Sequence, residues 1–272
     1  MKTSYSILLI SLFLLTISGY SQTAMDYINT GNSKIQYEDY PGAIADFTKA
    51  IEINPNFFLA YQIRGVTKIR LNDFRGAISD FNRVFEIDPN NTDAYGMRGM
   101  AKNELQDYKG AILDEDKAIV NDPLDGNAYY VRANAKCKLK DLRGAINDYS
   151  IVIKINPTNI EPPYYNRGLL KYQLQDYKGS IFDFTKAMEI DPKNENIYRN
   201  RGLAKFVLKD FIGSIADLSS ALEIDPKIAE NYYWRGIGKY KLGKKDDGCL
   251  DLSKAGELGY AKAYDMIQQY CQ

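Results

Sequence analysis

Histidine is absent from the 272 residues. That removes a histidine general base, a histidine-assisted nucleophile and the commonest metal ligand. Cysteine is scarce: Cys137, Cys249 and Cys271 are too few and too scattered for a zinc site. Neither charge is in excess, because Lys+Arg and Asp+Glu both number 35. Nucleic-acid binding, which depends on clustered positive charge, is therefore not expected. Attraction to an anionic membrane surface has no support either. No glycine-rich phosphate loop and no metal motif stands out, so the residues point away from an enzyme and imply no cofactor or metal. Asn90-Asn91-Thr92 matches a glycosylation acceptor, a pattern short enough to arise by chance.

Long hydrophobic runs are also lacking, apart from "ILLISLFLLTI" between Ile7 and Ile17. Eleven residues are too few to span a bilayer. Lys2 before the run, and Gly19 and Ser21 after it, read as a secretory signal over residues 1–21, cleaved after Ser21. The mature chain is expected to be exported, periplasmic or secreted, with no membrane insertion. That compartment permits disulfides.

What is present is a period. Pro55, Pro89, Pro123, Pro157, Pro192 and Pro226 are spaced by 34, 34, 34, 35 and 34 residues. Arg64-Gly65, Arg98-Gly99, Arg132-Ala133, Arg167-Gly168, Arg201-Gly202 and Arg235-Gly236 keep nearly the same spacing. A fixed period of this size means stacked supersecondary units, each too small to bury its own apolar face. With position 1 at Ala24, Phe58, Thr92, Gly126, Glu161, Glu195 and Ala229, seven repeats follow, with one extra residue near Ile160. Tyrosine holds position 4 throughout. Asp39, Asp73, Asp107, Asp141, Asp176 and Asp210 hold position 16 and read as N-caps of a second helix. The proline at position 32 ends that helix.

The pattern resembles the tetratricopeptide repeat family: aromatic at 4, small at 8, aromatic at 17, small at 20, aromatic at 24, Ala at 27 and Pro at 32. Seven repeats fill residues 22–260, and residues 261–272 read as an amphipathic capping helix carrying Ala263, Tyr264, Met266, Ile267 and Tyr270 on one side. Position 7 is Arg in six repeats where the family usually has leucine, and position 11 is Lys in all seven where it usually has tyrosine. Glu115 replaces an aromatic in the third repeat, and Lys244-Lys245 occupies the turn of the seventh. The resemblance implies an all-α, right-handed superhelical solenoid of helix-turn-helix repeats. Its concave groove would be lined by positions 2, 5, 6, 9, 12 and 13 of the first helices.

Position 7 lies roughly 160° from the centre of that arc at 100° per residue. The arginines are therefore expected to face the second helices, as scaffold and not as a ligand site. Each is expected to pair with the position-23 aspartate of the preceding repeat, such as Arg98 with Asp80. Thr30 replaces Arg in the one repeat that has no predecessor. Cys249 and Cys271 flank Gly259 and are expected to come close enough for a disulfide, with Cys137 left unpaired.

Along the groove positions the N-terminal half is mixed: Ile28, Asn29, Asn32, Gln62, Val66, Met97 and Met100. The C-terminal half is aromatic and amide-rich. Tyr130, Asn134, Tyr165, Asn166, Tyr172, Arg199, Asn200, Phe206, Tyr233 and Tyr240 are the expected partner-binding residues, with Trp234 and Asn196 among them. Exposed rings with interspersed amides suit an extended peptide. Some members of the family clamp an acidic chaperone C-terminus. Asn134 and Asn166 match two clamp asparagines, but Tyr130, Asn196 and Asn200 stand where cations are needed, so that specificity is not expected. The leading reading is an exported, non-enzymatic scaffold for a protein or peptide ligand. The alternative is a small-molecule or glycan binder using the same aromatic groove.

Overall fold

The computed structural model describes residues 23–89, 91–155 and 161–271. The expected signal segment, Asn90 of the glycosylation pattern and the extra residue near Ile160 lie outside them. The described residues form fifteen helices and no strand. They fall into two compact units, residues 1–121 and 122–272. The first unit holds three antiparallel pairs: α1 (Ala24–Gln36) with α2 (Tyr40–Ile53), α3 (Phe58–Arg70) with α4 (Phe74–Ile87), and α5 (Asp93–Glu104) with α6 (Tyr108–Asn121). The second holds four more: α7 (Gly126–Lys138) with α8 (Leu142–Ile155), α9 (Glu161–Gln173) with α10 (Tyr177–Ile190), α11 (Glu195–Val207) with α12 (Phe211–Ile224), and α13 (Ala229–Lys241) with α14 (Lys245–Glu257). The final helix, α15 (Lys262–Tyr270), packs on α14.

The turn within each repeat is built from local bonds. In the first, Asp39 N–H reaches back to Lys34 O and Glu38 N–H to Ile35 O, the paired pattern that closes a helix through a left-handed residue. Position 15 takes that conformation in every repeat. Glu38, Asn72, Gln106, Lys140, Gln175 and Lys209 all have φ between 59° and 66°, and only the seventh repeat supplies a glycine, Gly243. The next residue starts the second helix: Asp39, Asp73, Asp107, Asp141, Asp176 and Asp210 each accept the N–H of a glycine three residues on. Lys244 in the seventh repeat makes no side-chain cap bond.

The small residue at position 8 is explained by its neighbour across the pair. A Cβ on Gly31 would lie 2.5 Å from the Phe47 ring, and one on Gly168 would lie 2.9 Å from Phe184. These rings, with Phe81, Tyr149, Leu218 and Leu252 at the same position, are buried. Glu115 takes that place in the third repeat and is also buried.

The arginines face the second helices, as their angle on the helix predicts, but their pairing differs from the expectation. Each bonds the aspartate of its own repeat. Arg64 Nη2 is 2.7 Å from Asp80 Oδ1 and its Nε 3.0 Å from Oδ2. Arg98–Asp114, Arg132–Asp148, Arg167–Asp183, Arg201–Asp217 and Arg235–Asp251 repeat the two-point contact. Antiparallel packing sets positions 7 and 23 of one repeat side by side, so the cross-repeat pairing of Asp80 with Arg98 is excluded. The link to the preceding repeat runs through the remaining nitrogen. Nη1 of Arg64, Arg98, Arg167, Arg201 and Arg235 donates to the position-25 side chain before it: Thr48, Asn82, Ser150, Thr185 and Ser219.

The lysine at position 11 is the other half of the ladder. Lys68, Lys102, Lys136, Lys171, Lys205 and Lys239 place Nζ 2.7–2.8 Å from the second oxygen of the same aspartate. In the first repeat Lys34 alone holds Asp46, at 2.7 Å. Each full triplet has two cations around one carboxylate, and Asp148 and Asp183 have no exposed side-chain surface.

The chain end is closed as expected. Gly259, at φ 89°, turns α14 into α15, and Cys249 is bonded to Cys271 with Cα atoms 5.7 Å apart. Cys137 is unpaired. Tyr264, expected on the packed side of the cap, is more than half exposed, although its hydroxyl donates to Gly256 O at 3.0 Å. No helix among the described residues is long and apolar enough to cross a membrane.

Candidate functional site

The ten expected partner-binding residues all lie on α7, α9, α11 and α13, the first helices of the C-terminal unit. None is fully exposed: Tyr130, Asn134, Tyr165, Asn166, Tyr172, Arg199, Asn200, Phe206, Tyr233 and Tyr240 are all partly buried. Ile28, placed in the groove of the N-terminal unit by its position, is buried at 2% exposure and belongs to the core with Phe47.

The partial burial has a regular cause. An amide at position 6 donates to the tyrosine hydroxyl at position 5 of the repeat before it. Asn166 Nδ2 lies 3.4 Å from Tyr130 Oη, and Asn200 Nδ2 lies 3.0 Å from Tyr165 Oη. The rings beneath are seated on the position-24 ring of their own repeat. Tyr130 meets Tyr149, and Tyr165 meets Phe184, both with centroids 5.8 Å apart. Asn134 accepts the Tyr149 hydroxyl at 2.5 Å, and burial raises the pKa of that phenol. The carbonyl oxygens of Asn166 and Asn200 take no part in the two inter-repeat bonds.

Repeats six and seven change the pattern. Arg199 and Trp234 occupy the positions that tyrosine and asparagine hold before them. Arg199 bonds Asn196 on its own helix, and lies 3.9 Å from Glu195, whose carboxyl is held above its ordinary range by burial despite Arg199. Trp234 meets Phe206 edge-on at 5.1 Å and Tyr233 at 5.3 Å, and its Nε1–H donates to Glu230 Oε1 at 3.4 Å. At position 12, Tyr172 and Phe206 pack edge-on against Tyr177 and Phe211 of their own second helices, while Tyr240 lies against Tyr270 of the final helix. These three rings therefore serve packing. Tyr233 is covered in part by Tyr260, at 4.8 Å.

The sequence reading missed Tyr149, Tyr260 and Glu230 as members of this face. Tyr149 sits at a core position where the other repeats carry Phe, Leu or Glu115, and a hydroxyl there was the available sign. Tyr260 stands at position 32 of the seventh repeat, where the other repeats carry proline, and fell outside the groove register. A separate cleft of about 580 Å³ lies near the N-terminal ends of α7 and α9, bordered by Leu124, Asn127, Tyr130, Val152 and Pro162. No group of acidic residues and cysteines among the described residues has the arrangement of a metal site.

Two segments, residues 59–91 and 162–194, match the tetratricopeptide repeat family. No curated protein matched the sequence. Among solved structures, a tetratricopeptide repeat protein from Parabacteroides merdae is similar at 18% identity and a TM-score of 0.62, covering 93% of this chain and 100% of its own. YrrB, described as a TPR protein with an unusual peptide-binding site, is similar at 16% identity and a TM-score of 0.64, over 69% of this chain and 97% of its own. MamA from Desulfovibrio magneticus RS-1, residues 41 to the end, is similar at 21% identity and a TM-score of 0.60, over 62% and 95%. The fold is accordingly an all-α solenoid of tetratricopeptide-type helix pairs.

Proposed function

We propose that the protein is an exported, non-enzymatic interaction scaffold. Its partner is a protein segment bound in extended form along the first helices of the C-terminal unit. The observation that carries this reading is the row formed by Tyr130, Asn166, Tyr165 and Asn200. Rings held at a fixed height by inter-repeat hydrogen bonds offer anchoring surface with little ordering left to do on binding. The amide carbonyls beside them are suited to the N–H groups of an extended main chain. YrrB, of the same fold, is described by its peptide-binding site, which supports the direction of the proposal. Export is supported by the signal-like first 21 residues and by a disulfide, a bond that persists in oxidising compartments.

The test is a random peptide library displayed on phage and selected against the immobilised oxidised protein. Selected peptides should bind at least about tenfold more weakly to Asn200→Ala than to the parent, the size of loss expected at an interface anchor. Tyr165→Ala is a poorer variant, because the Tyr165 ring packs on Phe184 and its hydroxyl accepts the Asn200 bond. If selected peptides bind Asn200→Ala and Tyr165→Phe as well as the parent, this face is not the binding surface and the convex side becomes the better candidate. The cleft near Tyr130 favours the second reading, a small-molecule or glycan binder, since its volume falls within the range of ligand pockets. Oligosaccharides that bind where no peptide does would select that reading.

A further inference from the structure

Glu230 is the feature of this face that the peptide-groove reading does not use. It sits at the start of α13 and is partly buried. Its carboxylate accepts the N–H of the Trp234 indole, a neutral donor. No lysine or arginine among the described residues lies within ion-pair distance of it. That is unusual in this molecule, where the position-23 aspartates all hold one or two cations. Around Glu230 the surface is aromatic. Trp234 is joined to Phe206 and Tyr233, and Tyr233 to Tyr260, through ring contacts of 4.8–5.3 Å. Glu230 acts electrostatically on two phenols drawn from either side: with burial as the larger cause, its charge helps raise the pKa of both Tyr172 and Tyr260. Arg199 is occupied with Glu195 and Asn196, and Asp265 acts on Tyr233.

A partly buried carboxylate without a cation, beside an indole that is itself joined to further rings, is complementary to a positive group. The carboxylate supplies charge, and the rings attract a cation through their quadrupoles, most strongly at tryptophan. Arginine suits such a place better than a compact ammonium, because its planar guanidinium stacks on a ring while donating to a carboxylate. We infer that Glu230, Trp234, Tyr233 and Tyr260 form a receptor for a basic side chain, foremost arginine, of the bound segment. The inference rests on the peptide-scaffold reading and adds a specificity to it: the partner carries a basic residue at the point that reaches the seventh repeat. It also fits the departure from acidic C-terminus recognition, since this end of the face presents a carboxylate toward the ligand.

Trp234 is the sole tryptophan in the chain, so its fluorescence reports this place alone. The experiment titrates the oxidised protein with acetyl-Gly-Arg-Gly-amide and with its citrulline counterpart, which keeps the shape and loses the charge. The arginine peptide should give a saturable change in Trp234 emission, with the citrulline peptide about tenfold weaker. Glu230→Gln, which can still accept the indole N–H, should bring arginine binding down to the citrulline level and leave the citrulline value unchanged. Its melting temperature should match the parent's, separating a lost charge from a lost fold. Equal response to both peptides, no response to either, or unchanged arginine affinity in Glu230→Gln would overturn the inference. Phage-selected peptides that bind the face without a basic residue would leave the scaffold reading standing while removing this specificity. A response to maltohexaose alone would remove both.

Discussion

The first helix of each repeat has two faces built on different rules. Toward the second helix, positions 7, 8 and 11 carry Arg, a small residue and Lys, and every repeat but the first makes the same triplet with its aspartate. On the opposite face, no two repeats of the C-terminal unit carry the same set: tyrosine and valine, tyrosine and asparagine, arginine and asparagine, then tyrosine and tryptophan at positions 5 and 6. A face that must mate with its neighbours in the same way each time keeps its residues. A face that meets something external is at liberty to differ from repeat to repeat. The row of arginines, the most conspicuous cations in the chain, is thereby scaffold.

The comparison can be broken most sharply at a triplet. Asp183 has no exposed side-chain surface and holds both Arg167 and Lys171. Asp183→Ala strands two cations near the interior, so a loss of about 3–5 kcal/mol is expected by urea unfolding. Asp46→Ala is the matched control. Only Lys34 loses its partner there, and Lys34 is 40% exposed, so a loss below about 1 kcal/mol is expected. Equal losses at the two sites would show that the triplet adds nothing beyond an ordinary ion pair.

Next in size is the clasp at the chain end. Removing the bond with Cys249→Ser and Cys271→Ser together opens a link across a sequence separation of 22 residues, which corresponds to about 3 kcal/mol in the chain-entropy account. Thermal melting of the pair variant against the oxidised parent measures it. Smaller effects of opposite sign are expected at Ser180 and Ser214. Their hydroxyls are buried without a partner, at a position that is Ala43, Ala77, Ala111 and Ala145 in the first four repeats. Ser180→Ala and Ser214→Ala should each raise stability by about 1 kcal/mol, read as a higher denaturant midpoint. The smallest change is expected at the turns. Lys209 has φ 63°, and Lys209→Gly relieves that strain while loosening the unfolded chain, for a net gain of about 0.5 kcal/mol.

Much of this architecture was legible because it repeats. The 34-residue period, the aspartate caps, the small residue against the position-24 ring and the inward turn of the arginines all follow from residue type and helical angle. The disulfide was legible from the hairpin at Gly259. The partner of each arginine was not. Two aspartates, one in its own repeat and one in the preceding repeat, satisfy the same count, and only the antiparallel packing decides between them. The lysine at position 11 was visible in all seven repeats, but its role depends on sharing an aspartate already assigned to arginine. The groove was legible as a set of positions and not as a surface. That Tyr130 and Tyr165 are braced by Asn166 and Asn200 requires knowing how far one repeat slides past the next. The left-handed residues at position 15 escaped notice because only Gly243 among the seven is a glycine.

The central claim, a constant face that holds the solenoid and a variable face that binds, is tested most directly by a swap within one helix. Asn200 and Lys205 both lie on α11, one on each face. For a phage-selected peptide, affinity and melting temperature are measured for Asn200→Ala and for Lys205→Met. The account predicts that Asn200→Ala weakens binding at least about tenfold with little change in melting, while Lys205→Met lowers the melting temperature and leaves affinity within about twofold. The opposite assignment, with Lys205→Met abolishing binding in a folded protein and Asn200→Ala changing only stability, would contradict it.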